Sequence, residues 1–133
     1  LKNYGLKRGA VAITIAHDSH NIICVGTNNE EMETAVKKLH ELGGGIVLVK
    51  DNQVLESMPL PVAGLMSDQN FEWVIEKLKK INTLAFTELG INPEIEPVST
   101  LCFMSLPVIP ELKVTDRGLF DVTEFRFTSI END

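Results

Sequence analysis

Val11-Ala12-Ile13-Thr14-Ile15-Ala16-His17-Asp18-Ser19-His20-Asn21-Ile22-Ile23-Cys24-Val25 is the stretch that decides the fold. Two short apolar runs flank a polar cluster; both read as buried strands, and the length and β-branched content of the first predict burial on both its faces. The first is expected over Val11 to Ile15 and the second over Ile22 to Val25. Between them, His17-Asp18-Ser19-His20-Asn21 brings two imidazoles, a carboxylate, a hydroxyl and an amide to the junction of two strands. A local turn with side chains bonded to their own backbone accounts for Asp18, Ser19 and Asn21. It does not account for two histidines, so a turn and an element of a functional site both remain open.

Working outward, Gly26 closes the second strand and Thr27-Asn28-Asn29-Glu30-Glu31 signals a helix start. Thr27 with Glu30, or Asn28 with Glu31, has capping-box spacing. Met32, Ala35, Val36, Leu39 and Leu42 then form one apolar helical face, and Gly43-Gly44-Gly45 stops the helix. Ile46 to Val49 reads as a third strand, returned by Lys50-Asp51-Asn52-Gln53 into Val54-Leu55 as a hairpin. Two prolines make Pro59 to Met66 irregular. Ser67 and Asp68 are candidate caps for a second helix with apolar positions Phe71, Val74, Ile75, Leu78, Ile81, Ala85 and Leu89, ended by Gly90 and Pro93. Leu101 to Leu106 is expected to be a buried strand, and Pro107-Val108-Ile109-Pro110 a second proline-framed apolar segment. Asp116-Arg117-Gly118 reads as a turn, preferred over an anion site, and Asp121 to Phe127 as the closing strand with Phe125 and Phe127 on one side. The resulting expectation is an α+β fold, with a mixed sheet of about six strands and two main helices packed on it.

The 133 residues fit a single domain, 1-133, with room for a real core. A net charge of -7 argues against nucleic acid and anionic lipid as partners, because both need clustered Lys and Arg. No apolar run approaches the ~20 residues of a membrane span. Cys24 and Cys102 each lie in an apolar segment, as buried free thiols of a reducing compartment would, which points to the cytoplasm. No leader pattern is visible, and the chain opens on Leu1 with no strand or helix signal before Val11, as a piece of something longer would.

As for chemistry, the HxxH spacing of His17 and His20 differs from the zinc helix motif, which puts His at i and i+4 with a Glu between. His40 is expected on the solvent side of the first helix, near the end where the dipole favours a cation. A triad built from Ser19, His17 or His20, and Asp18 lacks a nucleophile elbow, and side chains so close in sequence seldom converge on a reacting atom.

The stretches Ala16 to Ile22, Val25-Gly26-Thr27-Asn28, Gly43 to Val49, Pro59 to Ser67, and Leu106 to Leu119 together make the chain resemble the C-terminal domain of bacterial adenine deaminases, in the amidohydrolase superfamily. The resemblance implies a parent hydrolase that converts adenine and water to hypoxanthine and ammonia. It also implies that the catalytic (β/α)8 barrel, with its divalent transition metal (manganese, iron or zinc), lies outside this chain, since such a barrel needs about 250 residues. The chain's own three histidines cannot supply that centre, so no catalytic residue or metal ligand is expected within it. On this reading the isolated chain does not turn over adenine; its partners are the N-terminal amidohydrolase barrel of the same parent and further copies in a homo-oligomer. His17, Asp18, His20 and Asn21 are the candidates for a substrate-proximal or supporting role at the active-site mouth. An imidazole there can hydrogen-bond a purine ring nitrogen or relay a proton to the leaving amine. The alternative is a non-catalytic assembly module whose proline-framed segments form an interdomain or subunit surface. A stand-alone binder of a small ligand is a third reading.

Overall fold

A computed structural model describes residues 1–17 and 19–129. The first strand, β1 (Ala10–Ile13), pairs antiparallel with both β2 (Ile23–Gly26) and β3 (Gly45–Lys50), and β3 pairs antiparallel with β4 (Gln53–Pro59). The order is β2-β1-β3-β4. Helix α1 (Asn29–Leu42) covers one face of this sheet; α2 (Phe71–Thr87) and the short α3 (Pro97–Cys102) cover the other. A second sheet, β5 (Leu112–Thr115), β6 (Gly118–Asp121) and β7 (Arg126–Thr128), is also antiparallel throughout. The α+β class is as the sequence implies, but the strands divide between two sheets and every pairing among them is antiparallel.

Burial on both faces explains the unbroken apolar runs of β1 and β3, whereas β2, expected to be buried, is only half-buried and Ile22 is 47% exposed. Val11, Ile13, Ile46 and Leu48 pack with Ile81, Ala85, Leu89, Val98 and Leu101. Ala10, Ala12, Val47 and Val49 face Ala35 and Leu39 of α1. Alternation thus sends the large β1 side chains one way and its alanines the other, so α1 lies close to the sheet. Each fully buried Leu or Ile contributes about 1.5–3 kcal/mol, and these two layers are the main source of stability.

The helix ends follow local chemistry. The Asn28 side chain accepts the Glu31 N–H at 2.9 Å and donates to the Glu31 carboxylate at 2.6 Å, so the second of the two expected spacings is the one used, with the return bond made by the Asn28 carboxamide instead of its backbone N–H. Glu31 also accepts the Asp51 N–H at 2.7 Å, tying the start of α1 to the β3–β4 turn. Gly43 caps the other end in the left-handed conformation, with φ 71°. The glycines after it do more than stop a helix. At Gly44, with φ 119°, a Cβ would lie 2.6 Å from the Gly64 Cα, so two backbones touch there.

Three expectations move. The cap of α2 is Asn70, which accepts the Trp73 N–H at 2.9 Å, rather than Ser67 or Asp68, whose side chains bond Gln69 instead. Phe71 consequently stands 72% exposed at the first turn and is not a core position. The expected strand Leu101 to Leu106 is the end of α3 and the turn after it. Pro97 in the first turn and the Glu96 cap set that helix, and the apolar run alone does not distinguish helix from strand. The closing strand is shorter than expected, with Phe125 in the turn at φ 50°. Phe125 and Phe127 do share one side, both meeting Phe120 edge-on.

Glu56 braces β4 to α2. It is buried, accepts from Lys77 at 2.7 Å and pairs with Lys80 as well. Burial pushes its carboxyl up, but hydrogen bonds from Lys77, Lys80 and the Ser57 N–H outweigh that and hold it at about 2. A carboxyl held below its unfolded value stabilises the fold above the unfolded pKa, and that contribution disappears as pH falls through the folded one. Glu56→Gln should therefore cost about 2 kcal/mol at pH 7 in urea unfolding, with the difference from wild type shrinking as pH falls from about 4.5 towards 2.

Candidate functional site

β1 ends where Thr14 turns its hydroxyl inward. Thr14 Oγ1 accepts the Gly45 N–H at 2.8 Å and donates to the Gly64 carbonyl at 2.6 Å, clasping the start of β3 and the loop 60–66. The first strand ends at Ile13, short of the expected Ile15, and the clasp follows it directly. The chain then crosses to β2 by the loop 14–22, so the histidine cluster sits at one end of the sheet.

The loop is held from two sides. The His20 N–H donates to the Ala16 carbonyl at 3.1 Å and the Ser19 N–H to the His17 carbonyl at 2.9 Å, a turn closed by main-chain bonds rather than by the side-chain bonds expected from the composition. The His17 N–H donates to the Cys102 carbonyl at the end of α3 at 2.8 Å. The His17 imidazole stacks on Phe103, with centroids 4.7 Å apart and planes 21° from parallel. The Ser19 and buried Ser105 hydroxyls bond each other at 3.2 Å. Hence α3 and the turn after it fix the loop while the imidazole of His17 stays exposed.

These groups line an open cleft of about 260 Å³ together with Asn21, Pro107, Thr115 and Asp116. It presents an imidazole, hydroxyls, a carboxamide and a carboxylate, donors and acceptors suited to the edge of a small polar heterocycle. Of the sequence candidates, His17 and Asn21 meet here. His20, in the left-handed region at φ 51°, lines a different cleft of about 310 Å³ that also holds His40 and Gly44. Asp18 lies outside the described residues. Ser105, Thr115 and Asp116 come from elements distant in sequence. Asp116 was visible as part of a turn, but nothing local tied that turn to His17.

Among the described residues, no three of His, Cys, Asp and Glu are grouped to hold a metal ion. Cys24 and Cys102 are free thiols. Burial pushes the Cys24 thiol up to about 11, and burial followed by the Glu96 charge raises Cys102. Neither is poised as a nucleophile. No helix among the described residues is long and apolar enough to cross a membrane.

The fold and cleft define an antiparallel sheet flanked by helices on both faces, with a polar cleft at one end and no metal donor set of its own among the described residues. The family model for the adenine deaminase C-terminal domain matches residues 1–126, and the chain belongs to that family. Adenine deaminase 2 of Desulfotalea psychrophila is 60% identical over 131 residues, covering 98% of this chain and 23% of that protein. The adenine deaminases of Clostridium acetobutylicum and Bacillus subtilis are 48% and 49% identical, over 96% and 98% of this chain and 22% of each relative. The chain thus spans less than a quarter of the length of these curated relatives.

The stacked geometry makes a spectroscopic prediction. The His17 ring protons should be shifted upfield in the proton NMR spectrum by the Phe103 ring current, and Phe103→Ala should return them to ordinary positions. Identical His17 shifts in both proteins would contradict the stacking.

Proposed function

We propose that this chain is the C-terminal part of a metal-dependent adenine deaminase of the amidohydrolase superfamily, and that it completes the mouth of the active site. The parent hydrolyses adenine to hypoxanthine and ammonia in purine metabolism, in the cytoplasm. Its metal is held by the N-terminal barrel, and the isolated chain is inactive. What carries the reading is identity of 60% across nearly the whole chain to an adenine deaminase of which it covers 23%. The cleft adds the chemistry. His17 is positioned by Phe103 and the Cys102 carbonyl, so its imidazole can meet a purine nitrogen or the departing amine at little further entropic cost. Asp116 and Asn21, on the same cleft, offer an acceptor and a carboxamide for the amidine edge of the purine.

His17→Ala and Asp116→Asn in the full-length polypeptide should each lower kcat/KM for adenine by about 10–100-fold. The melting temperature should stay put, because both side chains are exposed. Unchanged kinetics in both variants would contradict the site role. The reading left standing would be the assembly module, for which the 70% exposure of Val108 between Pro107 and Pro110 is the supporting observation.

A further inference from the structure

The main sheet has two edges of opposite character. β4 carries the buried Glu56 with its lysines, ends on Pro59, and meets β3 through a register shift at Leu48/Val49. Charge, proline and irregular register are the devices by which proteins blunt a free edge. β2 has none of them: its sequence is Ile23-Cys24-Val25-Gly26, regular in register with β1 and without charge.

The Thr27 N–H donates to the Gly9 carbonyl at 3.0 Å, which fixes the phase of the β1–β2 ladder. Alternation then turns the main-chain groups of Ile23 and Val25 towards β1 and those of Cys24 and Gly26 outward. No described strand pairs with that outer side. Beside it runs a groove of about 360 Å³ lined by Leu1, Ile22, Val25, Leu101, Met104 and Val114. Leu1, Ile22 and Val114 are 61%, 47% and 64% exposed. An uncharged open edge beside an apolar groove is the surface on which an extended segment is added as a strand.

We propose that the outer edge of β2 and this groove receive an extended apolar segment of the polypeptide that precedes this domain in its longer relatives. The inference rests on the reading of the chain as the C-terminal part of a longer protein. Three observations favour this occupant. The curated relatives matched above carry more than three quarters of their length outside the matched region. Leu1 itself lines the groove, so the described segment on the amino-terminal side of β1 already borders β2. A net charge of -7 works against pairing β2 with the β2 of a second copy.

Amide hydrogen exchange of Cys24 and Gly26 in the full-length polypeptide tests this, compared with an Ile22→Lys/Val114→Lys variant that places charge in the groove. The two amides should exchange at least about 100-fold more slowly in the wild type. Ile22→Ser supplies the comparison if the double variant does not fold. Equally fast exchange in wild type and variant overturns the proposal, and it does so without touching the functional reading if adenine is still turned over. Slow wild-type exchange in a protein that does not hydrolyse adenine supports the strand addition and removes the functional reading instead. Protection that rises with protein concentration alongside a doubled mass would assign the edge to a second copy, and that also overturns the proposal.

Discussion

Burial of β1 and β3 on both faces is the constraint from which the rest of this domain follows. Each strand must satisfy a wide gap on one side and a narrow one on the other. Val11 and Ile13 fill the first against α2 and α3; Ala10 and Ala12 leave room for α1 in the second. A larger residue on the alanine side would push α1 outward, and with it the Asn28–Glu31–Asp51 tie that fixes where the β3–β4 turn sits. The stability of the sheet and the placing of its loops therefore have one origin.

The cleft is a consequence of that packing. Because α3 lies on the same face as Val11 and Ile13, its last carbonyl reaches the loop 14–22 and its following residue, Phe103, reaches the His17 ring. Thr14 holds the other side of the loop by clasping Gly45 and Gly64. A loop anchored at both ends by buried elements can hold an exposed imidazole in one orientation, which a free surface turn cannot. The second sheet contributes through the β5–β6 turn, which brings Asp116 to the lining of the same cleft as His17.

What was legible in the sequence was what depends on neighbours in sequence. The Asn28–Glu31 cap, the Gly43 stop, the Asp51-Asn52 hairpin and the helical period of α2 are all local, and all are present. The pairing of the strands into two sheets was not legible, since antiparallel partners are chosen by packing of whole layers. Leu101 to Leu106 shows the same limit: its apolar content suits a strand, and only Glu96 and Pro97 just before it carry the helical signal. At the site, the imidazoles marked the right loop, but their grouping was misleading. A left-handed His20 turns that side chain into another cleft, and Asp116 enters from a turn nearly a hundred residues away in sequence. The family resemblance named the domain that the family model then matched, because it draws on motifs spread through the chain rather than on any one spacing.

The claim that this domain completes a deaminase site is tested most directly by adenine hydrolysis in a polypeptide truncated to remove the region that aligns with this chain. It would be assayed alone and with the 133-residue chain added in trans. The truncated protein should show little turnover and recover it on adding the chain, with less recovery when the chain carries His17→Ala. Full activity of the truncated protein alone would contradict that claim.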